Sequence, residues 1–214
     1  IGPRRAGKSF FAMHLLGGHE NLGYANFDDE KILETEDYDE IITAVNSIYN
    51  NPKFLLLDEI QNLPKWALFV NRLQRQGYNL IITGSNSNLL SREFATYLTG
   101  RHLPIYLFPF SFKEYLELNE KALITSEFKD KLLNYLYNGG YPEPLIKNLD
   151  YKEYLINLFD SIVYKDIIKR YNIRATKEIE DLAFYLLSNI ACEYSYNSLT
   201  KIVNIKSPRT IQKY

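Results

Sequence analysis

The sequence predicts an α/β protein, a parallel sheet covered by helices on both faces and followed by a helical part. Three observations predict it. Residues Gly2 to Ser9, read G-P-R-R-A-G-K-S, set two glycines with four residues between them ahead of a lysine and a hydroxyl residue. The run Phe54-Leu55-Leu56-Leu57 is apolar throughout and ends in Asp58-Glu59, the pattern of a strand buried on both faces that delivers two carboxylates. Strand-length apolar runs then alternate with helical segments as far as Pro109, and beyond Ser111 only helical period remains.

Taken in order, Phe10 to Leu16 predicts a helix stopped by Gly17 and Gly18. Gly23 to Phe27 predicts a short strand closed by Asp28, Asp29 and Glu30. The acidic stretch Glu34 to Glu40 leads into a helix whose Ile41, Ile42, Val45 and Ile48 form one apolar face, ended by Asn50, Asn51 and Pro52. The strand to Asp58 follows, then a helix from Lys65 to Gln76 with Gly77 as its stop. Leu80 to Thr83 is the next strand, with Gly84 and Ser85 after it; Ser91 to Thr99 is a helix, and Leu103 to Phe108 an apolar strand. Ser111-Phe112-Lys113-Glu114 is a capping box that opens the helical part. Helices are expected at Phe112 to Leu118, Ser126 to Tyr137, Tyr151 to Tyr171 and Thr176 to Ile190, with Gly139, Gly140, Pro142 and Pro144 making a turn. Residues 1–110, 111–172 and 173–214 are expected as sheet domain, helical lid and tail module.

The glycine loop carries a physical reason for its spacing. Glycines let the backbone turn so that successive N–H groups face one phosphate chain, and the following helix adds its positive end. Gly2, Pro3, Arg4, Arg5, Ala6, Gly7, Lys8, Ser9 and Phe10 are therefore the expected nucleotide-binding residues, with Lys8 reaching the outer phosphates. Ser9 and Asp58 offer the hard oxygens that suit Mg²⁺. Glu59 is the expected base that orients and deprotonates a water against the terminal phosphate, with Gln61 just beyond it. Thr83 and Ser85 lie at the carboxyl edge of the sheet, where open α/β sheets bind ligands. Arg101 has two readings, a charge-stabilising arginine acting across a subunit boundary and a cation at a helix end; Arg92 is a weaker candidate.

The chain has 214 residues, 46% hydrophobic and 24% charged, with a formal net charge of -1. Near-zero charge supplies no global field toward nucleic acid or membrane, and no apolar run nears the roughly 20 residues of a spanning helix. The single Cys192 excludes an intrachain disulfide, suits a reducing, cytoplasmic setting, and is expected as buried filling. His14, His19 and His102 lack ligand spacing for zinc. No nucleophile, base and orienter set for acyl transfer is visible either.

The stretches Gly2 to Ser9, Leu56-Leu57-Asp58-Glu59-Ile60-Gln61, Ile82-Thr83-Gly84-Ser85, Thr99-Gly100-Arg101, Leu107 to Phe112 and Gly139-Gly140-Tyr141-Pro142-Glu143 resemble the AAA+ ATPase superfamily. They are most similar to its prokaryotic, mostly archaeal group of predicted ATPases with a C-terminal domain of unknown function. The resemblance implies a P-loop NTPase sheet of five parallel strands, the loop strand central, with a helical lid over ATP and Mg²⁺. It implies the sensor position at Thr83 or Ser85 and an arginine finger, and with it self-association, at Arg101. Only Ile1 precedes Gly2, so the central loop strand is expected to be missing, the run to Tyr214 is expected to be cut within a helix, and these residues alone are expected to turn over ATP poorly.

Residues from Thr176 onward read as three helical segments, Thr176 to Ile190, Ser198 to Val203 and Ser207 onward, the pattern of a partial winged helix-turn-helix module. Nothing after Glu193 is acidic, while Lys201, Lys206, Arg209 and Lys213 are basic. DNA binding through 173–214 and a packing or protein-contact role both fit, and Tyr194 and Tyr196 suit either base stacking or a core. The expected function is hydrolysis of ATP to ADP and phosphate coupled to movement of the tail module. The alternative is a nucleotide-regulated DNA-binding regulator with little turnover. A small-molecule kinase fits less well, because between Ser111 and Asp150 the only basic residues are scattered lysines.

Overall fold

A computed structural model describes residues 1–17, 21–84, 102–118, 125–205 and 207–213, and the chain divides into two units, Ile1–Leu149 and Asp150–Tyr214. The first unit runs α1 (Lys8–Leu16), β1 (Leu22–Asn26), α2 (Glu30–Leu33), α3 (Tyr38–Ile48), β2 (Phe54–Asp58), α4 (Trp66–Arg75) and β3 (Asn79–Ile82). It continues with α5 (Phe112–Glu117), α6 (Thr125–Asn138) and α7 (Pro142–Lys147). The strands form a parallel sheet in the order β1-β2-β3, with Tyr24 opposite Leu56, Asn26 opposite Asp58, and Leu56 opposite Ile81.

β2 is central, and this is why its sequence does not alternate. Leu56 packs with Ala12 and Leu16 of α1 on one face. Leu55 and Leu57 join Ile41 and Val45 of α3 and Phe69, Val70 and Leu73 of α4 on the other. All three leucines are fully buried, each stabilising the fold by roughly 1.5–3 kcal/mol relative to exposure. Helices on both faces and parallel strands carry every strand's carboxyl end to one edge, where Asp58 and Thr83 lie.

Ser111 caps α5 as its sequence predicts. The Glu114 N–H donates to Ser111 Oγ at 3.3 Å, and the Ser111 N–H donates to Glu114 Oε2 at 2.7 Å. The Ser111 N–H, and with it the Ser111 hydroxyl at 2.8 Å, donate to Glu114 Oε2 and hold the exposed Glu114 carboxyl below its ordinary pKa. Phe112, Tyr115, Phe128 and Tyr135 pack as an aromatic cluster between α5 and α6.

Several expectations need correction. Leu103 to Phe108 is extended but is not a strand of the sheet. Among the described residues its backbone bonds Ile1, with Ile1 N donating to Ile105 O and Leu107 N donating to Ile1 O, both 2.7 Å, and Leu103 is 87% exposed. The described sheet has three strands; the resemblance implies five, of which the loop strand is expected to be missing from these residues. Pro142 and Pro144 belong to α7, not to a turn, because Pro at a first helical turn forfeits no intrahelical bond. A short 3₁₀ turn at Ile60–Asn62 follows β2 without a sequence signal. The expected helix Ser91 to Thr99 lies outside the described residues, as do Gly18 and His19.

In the second unit, α8 (Tyr151–Ser161) passes into a π-helical stretch, Ile162–Lys169, and is followed by α9 (Thr176–Ser188), α10 (Tyr196–Ile202) and α11 (Pro208–Lys213). Val163, Ile168 and Ile179 form one core cluster, and Leu182, Leu199, Val203, Ile205 and Ile211 a second that joins α9, α10 and α11. The described residues of this unit include no strand, so a wing is not among them. Cys192, expected as filling, is exposed: it sits in the irregular connection after α9, where Ala191 adopts φ 65°. No described helix is long and apolar enough to cross a membrane.

Candidate functional site

The loop from Gly2 to Gly7 closes on itself before α1. Arg5 and Gly7 take positive φ, 60° and 87°, and the Ala6 N–H donates to Pro3 O at 3.3 Å. Left-handed residues alternating with ordinary ones turn consecutive amides toward one concavity. Gly7 is the N-cap of α1 and offers no side-chain cap, and Lys8, Ser9 and Phe10 form the first turn of that helix. Gly2 is required for a close approach: a Cβ there would lie 1.9 Å from Leu107 O. Lys8 is buried, and its Nζ donates to Pro3 O at 2.9 Å across the loop. The Phe10 side chain, by contrast, lies on the outside of α1, 76% exposed.

Asp58 forms the hub of the sheet edge. It is 4% exposed, and three hydroxyls donate to it: Ser9 Oγ to Oδ1 at 2.8 Å, Thr83 Oγ1 also to Oδ1, and Tyr24 OH to Oδ2 at 3.1 Å. A carboxylate this buried needs such donors, because an ionised group without partners is costly in low dielectric. Thr83 Oγ1 also accepts the Glu59 N–H at 3.2 Å, tying the two acidic residues to β3. Burial, and then the adjacent Asp58 charge, push the Tyr24 phenol up to about 12. Tyr24 carried no motif and was missed by sequence reasoning; the signal lies in register, since Tyr24 and Asp58 occupy one face of adjacent strands.

Glu59 adopts φ 51°, a left-handed conformation uncommon for a residue other than glycine. That bend turns the chain out of β2 and sets Glu59 beside Gln61, whose Nε2 donates to Glu59 Oε2. Such conformations cost roughly 1–3 kcal/mol and gather at functional sites.

The donor chemistry fits a hard divalent cation. Ser9 Oγ and Asp58 Oδ1 are neutral and anionic oxygens 2.8 Å apart where the first turn of α1 meets the end of β2. The Gly139–Glu143 segment faces the same loop: Pro142 Cγ lies 3.8 Å from where a Cβ on Gly7 would be, and Arg5 Nη1 is 3.8 Å from Glu143 Oε2. The structure therefore brings together Gly2, Pro3, Arg4, Arg5, Ala6, Gly7, Lys8, Ser9, Asp58, Glu59 and Thr83. Ser85, Arg92 and Arg101 lie outside the described residues. In the second unit Lys201 and Arg209 are exposed, as are Tyr194 and Tyr196, while Lys206 lies outside the described residues.

Residues 1–116 match the family model described as AAA domain, and residues 129–214 match that of a domain of unknown function, DUF8612. An uncharacterized protein of Methanocaldococcus jannaschii is 38% identical over 95% of this chain and 48% of its own length. An uncharacterized protein of Haemophilus influenzae is 33% identical over 100% of this chain and 57% of its own. A second uncharacterized M. jannaschii protein is 30% identical, covering 83% and 43% respectively. The chain thus spans about half the length of the curated relatives it matches.

Proposed function

Because the chain belongs to the AAA domain family, we propose that it binds ATP with Mg²⁺ and, within a protein of its relatives' length, hydrolyses ATP to ADP and phosphate. The observation that carries this reading is the junction of two sequence-distant segments, Ser9 Oγ on Asp58 Oδ1 at 2.8 Å, which joins the amide-lined loop to the acidic strand tip. In this reading the loop amides and Lys8 hold the phosphates, and Ser9 and Asp58 hold the metal. The metal supplies charge neutralisation at the phosphoryl oxygens. Glu59, turned out of the strand and held by Gln61, takes the proton of the attacking water. Thr83 links base and metal ligand through its single hydroxyl, which suits a sensor of the terminal phosphate. In a protein of that full length the Glu59→Gln variant is expected to lose turnover by at least about a hundredfold, the lower range for general-base catalysis, while keeping ATP affinity. Undiminished hydrolysis removes Glu59 from the mechanism.

A second reading is favoured by the tail. Three short helices share one core, Lys201 and Arg209 are exposed, and no acidic residue follows Glu193. We propose that residues 173–214 grip duplex DNA through its phosphates. Its affinity is then expected to fall steeply as salt rises, measured by anisotropy of a labelled duplex with the full chain. Salt-independent binding, or none, contradicts it.

A further inference from the structure

We infer that Tyr24 is a positioning residue that fixes the Asp58 carboxylate with Oδ1 toward Ser9. The inference deepens the Mg²⁺-nucleotide reading and rests on it. Tyr24 sits opposite Leu56 in the β1–β2 register, and Asp58 is two residues further along β2, so both side chains rise from the face covered by α1. The Tyr24 ring packs at the margin of the Ala12, Leu16 and Leu56 cluster, which anchors it. From there its hydroxyl reaches diagonally to Asp58 Oδ2 at 3.1 Å.

The donors divide by oxygen. Ser9 and Thr83 both address Oδ1, and Tyr24 addresses Oδ2. The terminal torsion of an aspartate is broad and close to two-fold, so donors on one oxygen alone leave the carboxylate plane poorly fixed. A donor on the second oxygen, from a different strand, sets it. The oxygen nearest the loop is then presented in one orientation to whatever cation Ser9 shares, and the entropy of ordering it is lost on folding rather than on binding.

The test is the Mg²⁺ dependence of ADP binding to the full chain, read with a fluorescent ADP analogue, together with direct Mn²⁺ titration by electron paramagnetic resonance. Tyr24→Phe keeps the ring and removes only the hydroxyl. Its Mg²⁺ midpoint is expected to rise about tenfold, the lower end of what a hydrogen bond to a charged group contributes, while metal-free ADP affinity holds. A ring that served only as packing leaves the midpoint unmoved, and an unmoved or lowered midpoint overturns the inference. Should Tyr24→Phe fail to fold, Tyr24→p-aminophenylalanine, which keeps a donor at the same place, is expected to retain the wild-type midpoint; a raised one overturns the inference. Absence of Mg²⁺-dependent ADP binding by the wild-type chain overturns the underlying reading instead.

Discussion

At the residue scale the site depends on conformations only particular side chains tolerate. Gly7 takes φ 87° with no atom closer than 3.8 Å to a would-be Cβ, so Gly7→Ala meets backbone strain rather than a clash. The cost is about 1–2 kcal/mol, which corresponds to a fall in Tm of roughly 2–8 °C for a chain of this size. Nucleotide affinity is expected to weaken with it, because the strain falls on the loop that presents the amides. A calorimetric scan and a nucleotide titration check both, and an alanine variant unchanged in each contradicts this account of the loop. As members of the candidate site, Gly2, Gly7, Lys8, Ser9, Asp58 and Glu59 are marked in the sequence by local spacing. Tyr24 is not, because its partner is set by strand register across a sheet, which no local pattern encodes. The left-handed turn at Glu59 was equally silent, since glutamate gives no sign of positive φ.

Elements were legible where one rule governed them. β2 reads as apolar at every position because α1 covers one face and α3 with α4 the other. α3 and α4 show an apolar stripe because each covers a single face of the sheet, and Asp37 caps α3 through the Asp39 N–H at 2.9 Å. Leu103 to Phe108 shows the limit of that logic: apolar composition supplies strand propensity, but a strand also needs a neighbour to pair with, and among the described residues its backbone bonds Ile1. Pro142 and Pro144 mislead in the opposite sense. Proline stops a helix interior but opens a helix well, so the same residues signal a break or a start according to their position. Cys192 was expected inside on composition alone, and the irregular backbone after α9 carries it outside.

At the scale of the whole molecule the two units differ in what they disclose. Ile1–Leu149 gathers loop, strand tip and Thr83 at one sheet edge, so its chemistry can be argued atom by atom. Asp150–Tyr214 offers two helical core clusters with Lys201 and Arg209 exposed. The chain covers 48% and 57% of the two relatives it matches over nearly its whole length, so activity and partners of such longer proteins are set by more than these residues. The central proposal is that the Gly2 to Ser9 loop would hold the phosphates of a nucleotide and that Ser9 and Asp58 would hold its metal. Isothermal titration of ATP into the full chain, with and without Mg²⁺ and repeated on Lys8→Ala, tests it most directly. Saturable, Mg²⁺-enhanced binding that weakens by at least about tenfold in Lys8→Ala is the predicted result, as expected for loss of a charge-assisted contact to phosphate. No binding by the wild-type chain, or equal binding by both, would contradict it.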